Sequence, residues 1–348
     1  LAVAAGKMSR LTILGESFSS QSAPIPPIIN AYQYEKPSEP SSFVQSCVIP
    51  VNAPESEIRR ALDAVIAHHE MLRAVFTEDG RFLIGKGGYT FRSEQSPTID
   101  ETISFDLPQG PLVDAVLYPD HLVLTIHHFV VDAVSWSVII SDLNAALHNE
   151  PLSVQTGSYF EWADTAYPSE HATWPANMLP LLHPTDPQNP EERYSFSVCA
   201  APNDIVLTAL GCAANTFVDG KAGICVETHG RASSRYRRTV GWFTAIFPFV
   251  TGSLEETKEV LSNVPNLGAE YLPSFGHLPE EASVLYNYIS FNEGVASGVF
   301  PLFPGKINVN CLKQKDKLFI EIGVPAGHHP QGITEKLGVA MKRQMEIL

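Results

Sequence analysis

The sequence predicts an α/β protein in two halves, and three observations carry that expectation. Leu122–Ile126 is apolar and partly β-branched, as a buried strand should be, and is followed by Trp136, Ile139, Ile140, Leu143, Ala146 and Leu147 at helical spacing. A mostly apolar helical run at Ala201–Ala214 and a strand-like run at Gly223–His229 follow in the second half. Between them, residues 149–192 lack periodicity and hold Pro175, Pro180, Pro184, Pro187 and Pro190, which places the boundary between the halves in that interval.

A length of 348 residues suits two ordinary domains or one large one, and 44% hydrophobic content supports a substantial core. The formal charge of −15, with 23 basic residues against 38 acidic ones, argues against a nucleic-acid groove or an anionic-membrane surface. Cys47, Cys199, Cys212, Cys225 and Cys311 are scattered and odd in number, without C-x-x-C spacing; they read as buried thiols in a reducing compartment. The opening Leu1–Lys7 is too short for a secretory h-region and no stretch reaches a membrane span, so the expectation is a soluble, cytoplasmic protein.

Taken in order, residues 17–42 are rich in Ser and Pro and predict an extended entry segment. Phe43–Ile49 reads as a strand. A helix follows from Pro54, with Glu55 and Glu57 near its start and Ile58, Leu62, Val65 and Ile66 on one stripe. It ends in His68-His69; neighbours on a helix are about 100° apart, so one histidine should pack and the other face solvent. Ala74–Thr77 and Arg81–Ile84 predict short strands around the Asp79-Gly80 turn. Asn203 or Asp204 could cap the helix of the second half.

His127–Trp136, His-His-Phe-Val-Val-Asp-Ala-Val-Ser-Trp, packs two imidazoles, a carboxylate, a hydroxyl and an indole into the link between a strand and a helix. Successive side chains on an extended chain point to opposite faces, so one of His127 and His128 faces a ligand while the other is packed. This run resembles the HHxxxDxxSW signature of the condensation and epimerization domains of nonribosomal peptide synthetases. Glu227–Arg231 and Arg238–Thr244 resemble that family's EGHGR and RTVGWFT segments, the second being characteristic of epimerization members. Asn263–Gly268 and Tyr286–Ser290 fall where a VPxxG and an FNYLG segment lie, Phe43–Ile49 resembles an FNQS strand, and His68–Arg73 an HHxxLR helix end. The resemblance implies two chloramphenicol-acetyltransferase-like αβ sandwiches, residues 1–165 and 166–348, meeting in a V with the active site at the seam. It implies a substrate presented on the 4′-phosphopantetheine of a peptidyl or acyl carrier protein domain, no intrinsic cofactor and no metal. The chain would be monomeric or part of a larger synthetase. Two positions depart from the pattern: Ala133 replaces the usual Gly after the motif's Asp, and Ala232 replaces an acidic residue after HGR.

Epimerization at the α-carbon of an aminoacyl thioester needs a base, a proton donor on the other face, and stabilisation of the enolate between them. The resemblance makes His128 the active imidazole, a side chain that shuttles protons near neutrality. The same resemblance places the second acid/base group at Glu227, and the apolar Gly223–Val226 before it predicts a raised pKa; its structural alternative is an ion pair with Arg231. Asn287 or Tyr288 could donate to the enolate oxygen. Asp132 should hold the turn, with Arg238 as the expected partner; Ser135 could cap the following helix, Trp136 could pack at the seam, and His127 could support the site. The alternative chemistries are amide-bond condensation and a drifted cyclisation or proton transfer in the same pocket. A non-catalytic carrier-docking module is the alternative of another class.

Overall fold

The computed structural model describes residues 10–13, 22–84, 88–96, 103–164, 174–182, 189–291, 301–327 and 329–348. Leu1–Lys7 and the 165/166 boundary lie outside them.

The described strands form three sheets. The first has the order β1 (Arg10–Ile13), β6 (Gly88–Ser93), β7 (Val113–Leu117), β8 (His121–His127), β3 (Val44–Pro50). A small sheet joins β2 (Ser22–Pro24), β5 (Arg81–Ile84) and β4 (Ala74–Phe76). The third has the order β11 (Ala245–Phe249), β10 (Ile224–Thr228), β12 (Val284–Phe291), β13 (Ile307–Gln314), β14 (Lys317–Val324), β9 (Glu192–Cys199). Each of these sheets draws its strands from one half of the chain.

The helices are α1 (Pro27–Tyr34), α2 (Glu55–His68), α3 (Ala133–Leu147), α4 (Tyr159–Ala163), α5 (Asn203–Asn215), α6 (Leu254–Asn263), α7 (Tyr271–Phe275) and α8 (Ile333–Ile347). The predicted α2 stripe is the buried one, Ile58, Leu62, Val65 and Ile66, and it packs with α3. In the second half α5 pairs with α8, which lies against β9 and β14. No described helix is long and apolar enough to cross a membrane.

Three local expectations are corrected. The entry segment holds α1, because Pro27 sits at the first helical position, where a missing N–H is tolerated, and no proline follows until Pro37. The residue before α5 is Pro202, and no side chain caps the helix; Asn203 Oδ1 instead accepts the Tyr286 hydroxyl at 2.7 Å. The thiols are not uniformly buried: Cys199 is exposed and Cys212 half-buried, while Cys47, Cys225 and Cys311 are enclosed.

The helix α1 matters for the seam. Its Tyr32 lies 4.2 Å from Phe43 and 5.6 Å from Phe303 of the second half, and Phe43 lies 5.6 Å from Trp242. Burial of these aromatic rings gives the two halves a shared apolar contact.

Candidate active site

β8 delivers the two histidines to the seam, where a short 3-10 turn, His128–Val130, breaks the strand. His127 is fully buried: its Nε2 donates to Pro40 O at 2.8 Å and its Nδ1 accepts from Phe129 N at 3.2 Å. Both nitrogens are spent on backbone, and burial pushes its pKa down to about 4. His128 turns the other way and lines a cavity of about 400 Å³. Its Nδ1 donates to Val131 O at 2.8 Å, while its ring stacks on Phe43 at 4.9 Å and lies 4.4 Å from Trp242. Burial between these rings lowers its pKa to about 4.

The opposite wall belongs to the six-stranded sheet. β10 places Glu227 at the same cavity, together with Thr228 and His229, and parallel β12 adds Asn287 and Tyr288. Burial raises the Glu227 pKa to about 8, as the apolar strand before it predicts. Among the described residues no side chain or backbone group hydrogen-bonds to its carboxyl. Tyr288 donates its phenolic hydrogen to Ala201 O at 2.7 Å, which commits that proton. Asn287 has no such partner among the described residues. The four residues expected to do chemistry, His128, Glu227, Asn287 and Tyr288, thus line one cavity between the two halves.

Below it, Asp132 closes a buried ion pair, and its partner is Arg231 rather than Arg238. Arg231 Nη1 donates to Asp132 Oδ2 at 2.7 Å and Nη2 to Oδ1 at 3.0 Å; Phe243 N also donates to Oδ2 at 3.0 Å. Burial pushes the carboxyl up, but the Arg231 charge and these bonds outweigh it and hold the pKa below the usual aspartate range. Arg231 can turn back because Gly230 adopts φ +62°, where a Cβ would collide with Phe243 O. Arg238 serves a second buried carboxylate: it donates to Asp142, whose other oxygen meets His69 Nε2 at 3.0 Å. Both carboxylates are buried, but only Arg231 is buried with its partner; the Arg238 side chain keeps 31% of its surface exposed.

Ser135 is not the helix cap. Asp132 is, its side chain accepting from Ser135 N at 2.8 Å, because its β-region backbone points the carboxylate at the first-turn N–H groups. The buried Ser135 hydroxyl reaches across the seam and accepts from Gly241 N at 3.0 Å. Trp136 does not line the cavity; its Nε1 donates to Gln45 Oε1 at 2.8 Å, and Gln45 Nε2 lies 2.9 Å from His128 Nε2. Sequence reasoning passed over Gln45. No local signal marks it: Gln45 pairs with Ile126 and so shares the face on which His128 emerges two residues later, a register that only the folded sheet shows. His68, His69 and Asp142 lie close enough to suggest a metal, but Asp142 and Gln155 already occupy both His69 nitrogens and Arg238 holds Asp142.

This architecture is that of condensation-type domains. The epimerization domain from the third module of tyrocidine synthetase B superposes with a TM-score of 0.72 at 19% identity, covering 95% of this chain and 98% of that one. The condensation domain of Monacolin K polyketide synthase gives 0.72 at 10% identity, covering 94% and 97%. In sequence, a Condensation domain model matches residues 89–173. Surfactin synthase subunit 1 of Bacillus subtilis (strain 168) is 28% identical across 80% of this chain, and tyrocidine synthase 1 of Brevibacillus parabrevis 27% identical across 62%. The chain spans 10% and 27% of their respective lengths. In fold, and over part of its sequence, the chain is similar to condensation and epimerization domains.

Proposed function

We propose that this domain epimerizes the α-carbon of an aminoacyl or peptidyl thioester carried on the 4′-phosphopantetheine of a carrier-protein domain in nonribosomal peptide biosynthesis. The observation that carries this reading is one cavity lined by His128 from the first half and Glu227 from the second. At neutral pH their shifted pKa values leave the imidazole unprotonated and the carboxyl protonated, a base and an acid in complementary states. His128 removes the α-proton from one face, leaving an enolate; Glu227 delivers a proton to the other. The reverse reaction runs through the exchanged states. Asn287, whose amide is uncommitted among the described residues, donates to the enolate oxygen, and Tyr288 shapes the wall. The Asp132–Arg231 pair holds the His128 turn against the second half. No intrinsic cofactor enters this scheme, and the partner is the carrier domain of a larger synthetase, with residues 1–165 and 166–348 as the two units.

Arg238–Thr244, so similar to the epimerization segment, favours this chemistry, whereas the Condensation domain match over residues 89–173 favours amide-bond formation with His128 acting on an attacking amine. Incubation with a synthetic peptidyl-pantetheine thioester in D2O separates them. Epimerization gives α-deuterium incorporation with loss of chiral purity. With Glu227→Gln, inversion should fall at least ~10²-fold while exchange from one isomer survives better, since His128 can still remove and return a proton on its own face. Unchanged inversion would reduce Glu227 to a structural residue, and absence of exchange in the wild type would remove the epimerase reading.

A further inference from the structure

The contact between Gln45 and His128 decides more than orientation. An indole N–H can only donate, so the Gln45 atom 2.8 Å from Trp136 Nε1 must be the carbonyl oxygen, and the amide nitrogen then points at His128 Nε2, 2.9 Å away. On the other side of the ring, Val131 O can only accept, so His128 Nδ1 carries the hydrogen. The tautomer is therefore fixed at both ends: Nδ1–H outward, and an Nε2 lone pair covered by an amide N–H.

We infer that Gln45 is a positioning residue that sets the protonation state of His128: locked by Trp136, its amide caps the Nε2 lone pair and keeps the imidazole neutral until the amide is moved aside. A proton on Nε2 would set N–H against N–H. Relief requires the amide to turn over, which would leave the Trp136 N–H facing an NH2 group inside the protein. None of the titratable groups around the ring hydrogen-bonds to it, Gln45 and Val131 being its partners among the described residues. Asp132 is held by Arg231, and His127 is bonded to Pro40 and Phe129. On the far wall stand Glu227, His229 and Tyr288, the last bonded to Ala201. Phe43 and Trp242 cover the ring with apolar surface. The downward shift of the imidazole pKa agrees with this arrangement. Where His128 is the base, substrate entry must displace the amide before the lone pair can act, so Gln45 also gates the proton transfer; that step rests on the epimerase reading, whereas the control of protonation does not.

Nitrogen-15 chemical shifts of the full chain read the tautomer directly, and a pH titration reads proton affinity. The wild type should show Nδ1 protonated and Nε2 bare at neutral pH. Gln45→Glu keeps the length of the side chain and supplies a carboxylate that can accept from Trp136 and from a protonated Nε2. Its His128 proton affinity should rise at least about tenfold, one pKa unit or more. Gln45→Met removes the cap with similar bulk and should give a smaller rise, about threefold. An Nε2-protonated wild-type tautomer would overturn the inference, as would a His128 titration in folded Gln45→Glu within about twofold of wild type. If Gln45→Glu does not fold, an unchanged titration in Gln45→Met has the same force. A shifted titration in an enzyme that shows no deuterium exchange would leave Gln45 in this role and discard only the epimerase reading.

Discussion

The two walls of the cavity prepare their acid/base groups in opposite ways. On the first, His128 has a protein partner on each nitrogen and aromatic rings against its face, so its state is set by hydrogen bonding as well as burial. On the second, Glu227 lies at the end of an apolar strand with no described hydrogen-bond partner, and desolvation alone lifts its pKa. Under the proposed epimerization, this contrast gives a constrained base facing an unconstrained acid, in which the carboxyl follows the proton while the imidazole keeps its place. Between the walls, the Asp132–Arg231 pair keeps them in register, joining residues 99 positions apart.

The harshest way to break this contrast is to cut the connection. Asp132→Ala leaves the Arg231 guanidinium buried without its carboxylate and should cost ~3–5 kcal/mol, measured by chemical denaturation. A cost under ~1 kcal/mol, the range of exposed pairs, would show that the pair is not what holds the halves in place.

Next comes the imidazole itself. His128→Ala should lower α-proton exchange by ~10²–10⁴-fold and cost less stability than His127→Ala, since the side chain faces a cavity, although Val131 O and the Gln45 amide lose their partner. His127→Ala should do the reverse, costing ~1–3 kcal/mol because the buried Phe129 N–H and Pro40 carbonyl lose their partner. Exchange that survives His128→Ala and vanishes in His127→Ala would invert the assignment.

A pH dependence sharpens the account of the second wall. The folded-state pKa of Glu227, about 8, lies above the ordinary 4.5, so below pH 4.5 both folded and unfolded states are protonated and nothing is lost. From pH 4.5 to about 8 the unfolded chain releases the proton while the folded one retains it, so stability declines as pH rises. Glu227→Gln should therefore melt at the same temperature as wild type at pH 4 and progressively higher above pH 5, levelling off past pH 8. A constant difference across that range would mean that Glu227 is hydrated. The first wall has the opposite sign: His127 and His128, both with pKa lowered from 6.5 to about 4, should cost stability as pH falls through that window.

Local order determined a good part of this molecule. Apolar spacing fixed the α2 and α3 stripes, strand alternation put one of His127 and His128 in the core and the other at a cavity while the family resemblance said which, and the apolar run before Glu227 forecast its raised pKa. Those properties depend on neighbours a few residues away, which the sequence displays directly. The proline-rich entry misled because proline is compatible with the first turn of α1, a positional exception that composition conceals. What only the tertiary structure decided is which charges meet. Arg231 and Arg238 stand seven positions apart in the same stretch, and nothing in their flanks says that the first takes Asp132 and the second Asp142. Gln45 was equally silent: its value comes from lying between Trp136 and His128, 91 and 83 positions away. A hydrogen bond needs atoms within about 3 Å and aligned, and such placement across distant segments is set by how sheets and helices pack, not by periodicity along the chain.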